Sequence, residues 1–190
     1  MRNKVSKIFV ITGAVLIFSA LLLFGYNKFE DYKAGKRAAA MMEELRRAAG
    51  ASATSDPVPK ENEPQEASYD YCGFLSLPTL GLELPVISDW DYDRLQVAPC
   101  RQFGSPENGD LVIAAHNYQS HFGRLKDLAE GDEVVFTDMQ GASYKYAVAE
   151  TKILQPDELD AVADSDYELV LYTCTVGGKS RVTVFCREQQ

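Results

Sequence analysis

At 190 residues the chain is long enough for one domain of ordinary size plus accessory segments. Its formal net charge is −9, and that charge is unevenly distributed. Residues 1–66 carry 10 Lys+Arg against 8 Asp+Glu, whereas residues 67–190 carry 9 against 20. This acidic balance argues against nucleic acid as a partner and is typical of a domain kept soluble by its charge.

An apolar stretch at 8–25 contains no charged residue and follows three basic ones, Arg2, Lys4 and Lys7. As a helix rising about 1.5 Å per residue it would reach roughly 27 Å, close to the hydrocarbon thickness of a bilayer. We therefore predict that residues 1–26 form a cytoplasmic tip and an uncleaved single-pass membrane anchor, with the rest of the chain outside. A cleaved signal peptide is the alternative, although bulky residues stand where a signal peptidase requires small ones.

Two further segments separate the anchor from the folded part. Residues 27–49 are rich in Ala, Lys, Glu, Arg, Met and Leu, which predicts a helix. This helix either continues the anchor as a stalk or packs on the domain. Residues 50–67 contain three prolines among Ala, Ser, Glu and Gln, a composition typical of a mobile linker. We assign 27–67 to a helical stalk and flexible linker, and 68–190 to the folded domain.

Short β-like segments fill the folded domain and are separated by turn signals rich in Gly, Pro, Asn and Asp. This pattern predicts a mainly β fold, a barrel or sandwich with a few short helices. The predicted strands are 73–77, 82–87, 110–115, 133–137, 142–153, 167–173 and 181–187, and the predicted helical turns are 91–95, 122–128 and 156–162.

Cys174 ends the apolar run LVLYTC and precedes a turn containing two glycines, which would leave its sulfur near a sheet edge. A free cysteine is often only a small buried hydrophobe. We interpret the other three cysteines, Cys72, Cys100 and Cys186, as structural, and a disulfide among them stays open. No CxxC or paired His/Cys spacing indicates a zinc site, and no cofactor is predicted.

The chain has two histidines. His116 follows the apolar run LVIAA, and His121 lies in a turn without the spacing of a helical HExxH metal motif. An imidazole is the natural acid–base partner of a thiol, and we favour His116 for this role. Arg181 begins a strand-like run seven residues after Cys174. A hairpin would place the two side by side, where the guanidinium could stabilise an oxyanion.

Together these segments resemble the sortases, the membrane-anchored cysteine transpeptidases of Gram-positive bacteria. LYTC is similar to the end of the family's TLxTC motif, with Val170 at its first threonine. IAAHN resembles the histidine segment, with Ala115 where glycine is more usual, and SRVTV resembles the arginine strand. LPTLGLELPVI and FGRLKDL resemble the segments that open the family's barrel and follow its histidine. The similarity covers about residues 73–187, in the family's order.

The resemblance implies a closed β-barrel of about eight strands and a thiol mechanism. The Cys174 thiolate would attack a backbone carbonyl in an LPxTG-like sorting signal of a secreted protein. His116 would protonate the departing amine, and Arg181 would stabilise the oxyanion or position the peptide. The thioester would then pass to an amine, on a lipid-linked peptidoglycan precursor or a pilin lysine. Thr173 and Asn117 are secondary candidates, the first for a hydroxyl near the site and the second for orienting the imidazole.

The subclass and two alternative functions stay open. The pair His116-Asn117 resembles the class B pattern, but residues 153–169 are few for the long helix that many class B members insert there. A cell-wall cysteine peptidase is one alternative, although such enzymes usually place cysteine before histidine and at a helix N-terminus. The other is a non-catalytic, membrane-tethered binding module, in which Cys174 would be buried or bridged away from His116.

Overall fold

The computed structural model describes residues 2–51, 69–158, 162 and 165–189, with side chains between 2 and 51 described for 7–47. Nearly all of the predicted linker at 50–67, and part of the predicted helical turn at 156–162, lie outside the described residues. The chain divides into two compact units, Met1–Lys33 and Ala34–Gln190, which we describe separately.

The first unit belongs to a single α-helix, α1, which spans Arg2–Ala51. No proline interrupts this segment, so its backbone hydrogen bonds can continue from the predicted anchor through the predicted stalk. Among the described residues it is the one helix long and apolar enough to cross a membrane, with a mean hydropathy of 2.6 over 18 residues. None of that window is buried within the protein. A large exposed apolar surface of this kind fits a membrane anchor.

The second unit is a closed barrel of eight strands in the order β1-β2-β3-β4-β7-β8-β6-β5, with β5 pairing back to β1. The pairs β2–β3 and β4–β7 are parallel, and the others are antiparallel. The strands are β1 Tyr71–Leu77, β2 Leu82–Ile87, β3 Cys100–Phe103, β4 Leu111–Ala115, β5 Glu133–Asp138, β6 Ser143–Leu154, β7 Leu169–Cys174 and β8 Arg181–Glu188.

The predicted eight-stranded barrel with few helices is confirmed, and seven strands lie within two residues of their predicted bounds. The sequence prediction missed β3, because its four residues include the polar pair Arg101 and Gln102 and show no alternation. The helical segments of the barrel unit are short: α2 at Tyr92–Leu95 and 3-10 turns at Pro78–Leu80, Leu125–Asp127 and Pro156–Glu158.

Strands β4 and β7 are buried on both faces, which explains why they read as unbroken apolar runs. Alternate residues such as Ile113 and Leu171 belong to the barrel interior. The residues between them, such as Ala114 and Tyr172, belong to a second apolar cluster on the outer face, where Trp90 also packs. The two strands therefore run through the centre of the domain.

The part of α1 within the second unit packs on the barrel. Ala34, Ala38, Met42 and Leu45 are buried and recur at helical spacing, so they form one apolar stripe. Ala38 belongs to the same cluster as the barrel interior. Of the two arrangements left open for residues 27–49, the packing of this helix on the domain is therefore seen for its later turns. The assignment of the segment as a stalk that continues the anchor stays a prediction.

Candidate functional site

The parallel pairing of β4 with β7 brings two predicted site residues to the same end of neighbouring strands. Ala115 is the register partner of Thr173, so His116, which follows the end of β4, comes next to Cys174, the last residue of β7. Neighbouring strands lie about 4.8 Å apart. Because Ala115 and its partner Thr173 are buried towards the barrel, alternation along β7 directs Cys174 to the outer face. His116 directly follows the last residue of β4. The cysteine and the imidazole thus share one edge, 58 residues apart in the chain.

The third predicted residue enters from β8. Cys174 and Arg181 are register partners and form the last pair of the antiparallel β7–β8 hairpin. Side chains alternate between the two faces of a strand, and Val182 belongs to the interior cluster, so the Arg181 side chain points to the outer face. Its Nη1 donates hydrogen bonds to the carbonyls of Gly178 and Ser180, at 3.0 and 3.1 Å. These bonds hold the guanidinium against the turn that leads away from the cysteine.

His116 has two contacts that orient its ring. Its Nδ1 lies 2.9 Å from Oδ1 of Asn117, and its ring stacks on Tyr118 with 4.2 Å between centroids and 10° between planes. With Nδ1–H donating to the amide oxygen, Nε2 becomes the nitrogen that can exchange a proton with a substrate. The orienting role expected of Asn117 depends on this contact and stays a prediction. Tyr118 was missed by the sequence analysis, where an aromatic two residues after the histidine was its only signal.

The other histidine has a different environment. His121 is fully buried, and its ring meets Tyr118 edge-on at 5.5 Å. His116, by contrast, is partly exposed. Of the two imidazoles, only His116 therefore lies where a solvent-borne substrate could reach it.

Thr173 is 3% exposed, and its Oγ1 donates a 2.8 Å hydrogen bond to the carbonyl of Ala115. This bond joins the residue before Cys174 to the residue before His116. The hydroxyl is therefore engaged between the two strand ends, one residue before the cysteine and the histidine. It acts on the relative position of the two strand ends.

All four cysteines lie among the described residues, and each is a free thiol, so none forms the disulfide that the sequence left open. Cys174 is exposed. Burial raises the pKa of Cys72 to about 11 and the pKa of Cys100 and Cys186 to about 12. Since the thiolate is the reactive form of cysteine, these three are poor nucleophiles near neutral pH.

The outer face beside the site is apolar. Tyr172 lies two residues before Cys174 on the same face, and burial raises its pKa to about 12. A separate cavity of about 260 Å³ is lined by residues that include Cys72, Arg101 and Asp138, and by none of the five predicted site residues. Within the described parts of the chain, no group of three or more His, Cys, Asp or Glu side chains is placed to share a metal ion.

Comparison with known proteins identifies the family. The family model of the sortase domain matches residues 75–189, more than half of the chain. Sortase D of Bacillus subtilis is 25% identical over 171 residues, which cover 84% of this chain and 85% of that protein.

Solved structures show the same fold. Sortase A from Corynebacterium diphtheriae matches with a TM-score of 0.59 at 21% identity, over 90% of this chain and 96% of that one. Clostridium perfringens sortase C, solved with the C-terminal cell wall sorting motif, matches with a TM-score of 0.57 at 19% identity, over 78% and 87%. The chain belongs to the sortase family, whose members are cysteine transpeptidases.

Proposed function

We propose that Cys174 is the nucleophile of this sortase, His116 its general acid and base, and Arg181 the group that stabilises the oxyanion. The Cys174 thiolate adds to a peptide carbonyl, and Arg181 compensates the negative charge that develops on oxygen. Collapse of this intermediate breaks the C–N bond as His116 Nε2–H protonates the leaving amine. The acyl group remains on sulfur as a thioester until an amine attacks it and returns a proton to His116.

The observation that carries this proposal is the register of three adjacent strands. Ala115 opposite Thr173 and Cys174 opposite Arg181 bring the residues that carry one thiol, one imidazole and one guanidinium to a single edge of the sheet. Cys174 is also an exposed free thiol, which argues against a binding module with structural cysteines only. Asn117 and Tyr118 hold the imidazole ring, and Thr173 holds the strand ends.

For the substrate we propose an LPxTG-like sorting signal at the C-terminal end of a secreted protein, and for the acceptor an amine of a lipid-linked peptidoglycan precursor or a pilin lysine. The bound cell wall sorting motif of the Clostridium perfringens sortase C supports this class of peptide. We further propose a cytoplasmic N-terminus and an extracytoplasmic barrel, because three basic residues precede the apolar helix.

A peptide-cleavage assay on the full chain in detergent micelles tests these roles. Fluorogenic LPxTG-like peptides are offered with and without an amine such as triglycine, and the products are identified by mass spectrometry. Cys174→Ala is expected to abolish cleavage, His116→Ala and Arg181→Ala to lower kcat/KM by at least about 100-fold, and Cys72→Ala to leave it unchanged. Cleavage that survives Cys174→Ala would exclude the nucleophile assignment.

The same assay separates transpeptidase from peptidase. A transpeptidase yields the peptide–amine conjugate when the amine is present, and mass spectrometry should detect the acyl group on the Cys174 peptide. Hydrolysis as the only product at saturating amine would favour the cell-wall peptidase alternative.

A further inference from the structure

Helix α1 approaches the loop that follows β4 closely at Gly35. A Cβ built on Gly35 would lie 2.9 Å from Cβ of Ser120 and 3.4 Å from its Oγ. No side-chain carbon fits at the first distance without displacing its neighbour. Glycine is also one of the least favourable residues inside a helix. A glycine is therefore found at position 35 because Ser120 leaves no room there for a side chain.

Ser120 belongs to the loop that begins at His116. Within this loop the amide of Phe122 donates to the carbonyl of His116 at 3.3 Å, and the amides of His121 and Gly123 both donate to the carbonyl of Tyr118, at 3.0 and 2.8 Å. The loop is therefore closed by its own backbone, with Ser120 at the point that faces α1.

The loop has little freedom to absorb a displacement. A Cβ on Gly123 would lie 2.5 Å from the carbonyl oxygen of Asn117, so the two ends of the loop are already in contact. Phe122 is fully buried and belongs to the same apolar cluster as Ala38 of α1. The carbonyl of Tyr118 accepts two of the hydrogen bonds within the loop, and its ring stacks on the ring of His116. A shift of Ser120 is thus transmitted to the imidazole through the backbone and the stacked ring.

We propose that Gly35 is a positioning residue for His116: the close contact of α1 with Ser120 sets the loop, and through Tyr118 the loop sets the imidazole. This inference rests on the proposed acid–base role of His116. It assigns the membrane-anchor helix a part in the chemistry of the barrel edge, in addition to attachment.

The test uses the full chain in detergent micelles with ¹³C-labelled histidine. Since the chain has two histidines, substitution of His121 assigns both ring resonances. Gly35→Ala adds one methyl group at the contact. Gly25→Ala is the matched control, because it makes the same change in the same helix with nothing within 4 Å of the new Cβ. Ser120→Gly in the Gly35→Ala background removes the side chain that the new methyl group would meet.

We expect Gly35→Ala to move the His116 ring resonances and to lower kcat by about 10-fold with KM changed less than twofold, because misplacement of a reacting group costs rate rather than binding. Gly25→Ala should change neither quantity, and the double variant should restore both. Unchanged His116 resonances in Gly35→Ala, an equal effect of Gly25→Ala, or failure of Ser120→Gly to restore the resonances would each overturn the proposal. Full activity of His116→Ala would instead overturn the proposed acid–base role, and the resonances would still report on the contact.

Discussion

Two buried threonines on neighbouring strands should respond to the same substitution with opposite changes in stability. Thr173 donates its hydroxyl to the carbonyl of Ala115 at 2.8 Å and is 3% exposed. Thr183 is fully buried, and its Oγ1 has no hydrogen-bond partner among the described residues. Valine has nearly the shape of threonine, so Thr→Val removes the hydroxyl with little change in packing.

The magnitudes follow from what each hydroxyl does. Thr173→Val loses a hydrogen bond and leaves a buried carbonyl with one partner fewer, a loss of about 1–3 kcal/mol, which the added methyl group offsets by about 0.8 kcal/mol. We expect a net decrease of about 1–2 kcal/mol in the free energy of unfolding. Thr183→Val removes a buried hydroxyl whose burial without a partner costs about 1–3 kcal/mol, so the free energy of unfolding should rise by about 1 kcal/mol.

Urea unfolding of the full chain in detergent, followed by fluorescence of the single tryptophan, Trp90, measures both effects. Trp90 packs in the outer apolar cluster and in a further cluster that includes Met41 of α1, so it reports on the barrel together with the helix packed on it. Equal midpoints for the two variants, or a Thr183→Val protein less stable than the unsubstituted chain, would refute the reasoning from hydrogen-bond satisfaction. Thr173→Val should also lower kcat for peptide cleavage, since its hydroxyl joins the strand ends that carry His116 and Cys174.

Three further predictions concern the thiols and helix α1. Maleimide at pH 7 should label one thiol per folded chain, and Cys174→Ala should abolish that labelling, because the other three have pKa values of about 11 and 12. Because these pKa values are raised, the folded state keeps thiol protons that the unfolded state releases above about pH 9. The free energy of unfolding should therefore be constant to about pH 8 and fall towards pH 11, by up to roughly 1.4 kcal/mol per pH unit for each thiol. A rise in the free energy of unfolding over this range, measured by urea titration, would contradict this. Leu45→Ala should lower the free energy of unfolding by about 2–3 kcal/mol, because the Leu45 side chain is buried, with 7% of it exposed. The control Glu44→Ala changes an exposed residue of the same helix and should lower it by less than about 0.5 kcal/mol. Equal effects of the two substitutions in urea unfolding would mean that α1 does not pack on the barrel.

Much of the fold could be predicted because its strands are marked locally. Strand β4 is an uninterrupted apolar run, and Gly177 and Gly178 have φ of +86° and +71°, a backbone conformation that favours glycine in the hairpin turn before Arg181. Strand β3 escaped prediction because one buried side chain, Cys100, and one register pair with β2 leave almost no local pattern. Its existence depends on pairing with the neighbouring strands, three register pairs with β4 and one with β2, and not on a pattern of its own.

Some features of the candidate site are likewise visible in the sequence, and others are not. The strand ends at His116 and Cys174 are visible in the sequence, because each follows an apolar run. The register that sets them side by side is not, because a parallel pair is specified by packing across the barrel rather than by a turn. The contact of Gly35 with Ser120 had no more local signal than a lone glycine in a helical segment. The roles of the five site residues stay predictions until the substitutions are assayed.

The uneven pairing of the barrel has a consequence for how it opens. Strands β2 and β3 share one register pair, whereas β4–β7 share five and β7–β8 share six. Local unfolding starts where the fewest hydrogen bonds must break, so fluctuations of the barrel should separate β2 from β3 before they disturb the other side. Amide hydrogens where β2 pairs with β3 would then exchange with solvent earlier than those of β7. The thiol, the imidazole and the guanidinium would stay together while the barrel opens and closes elsewhere.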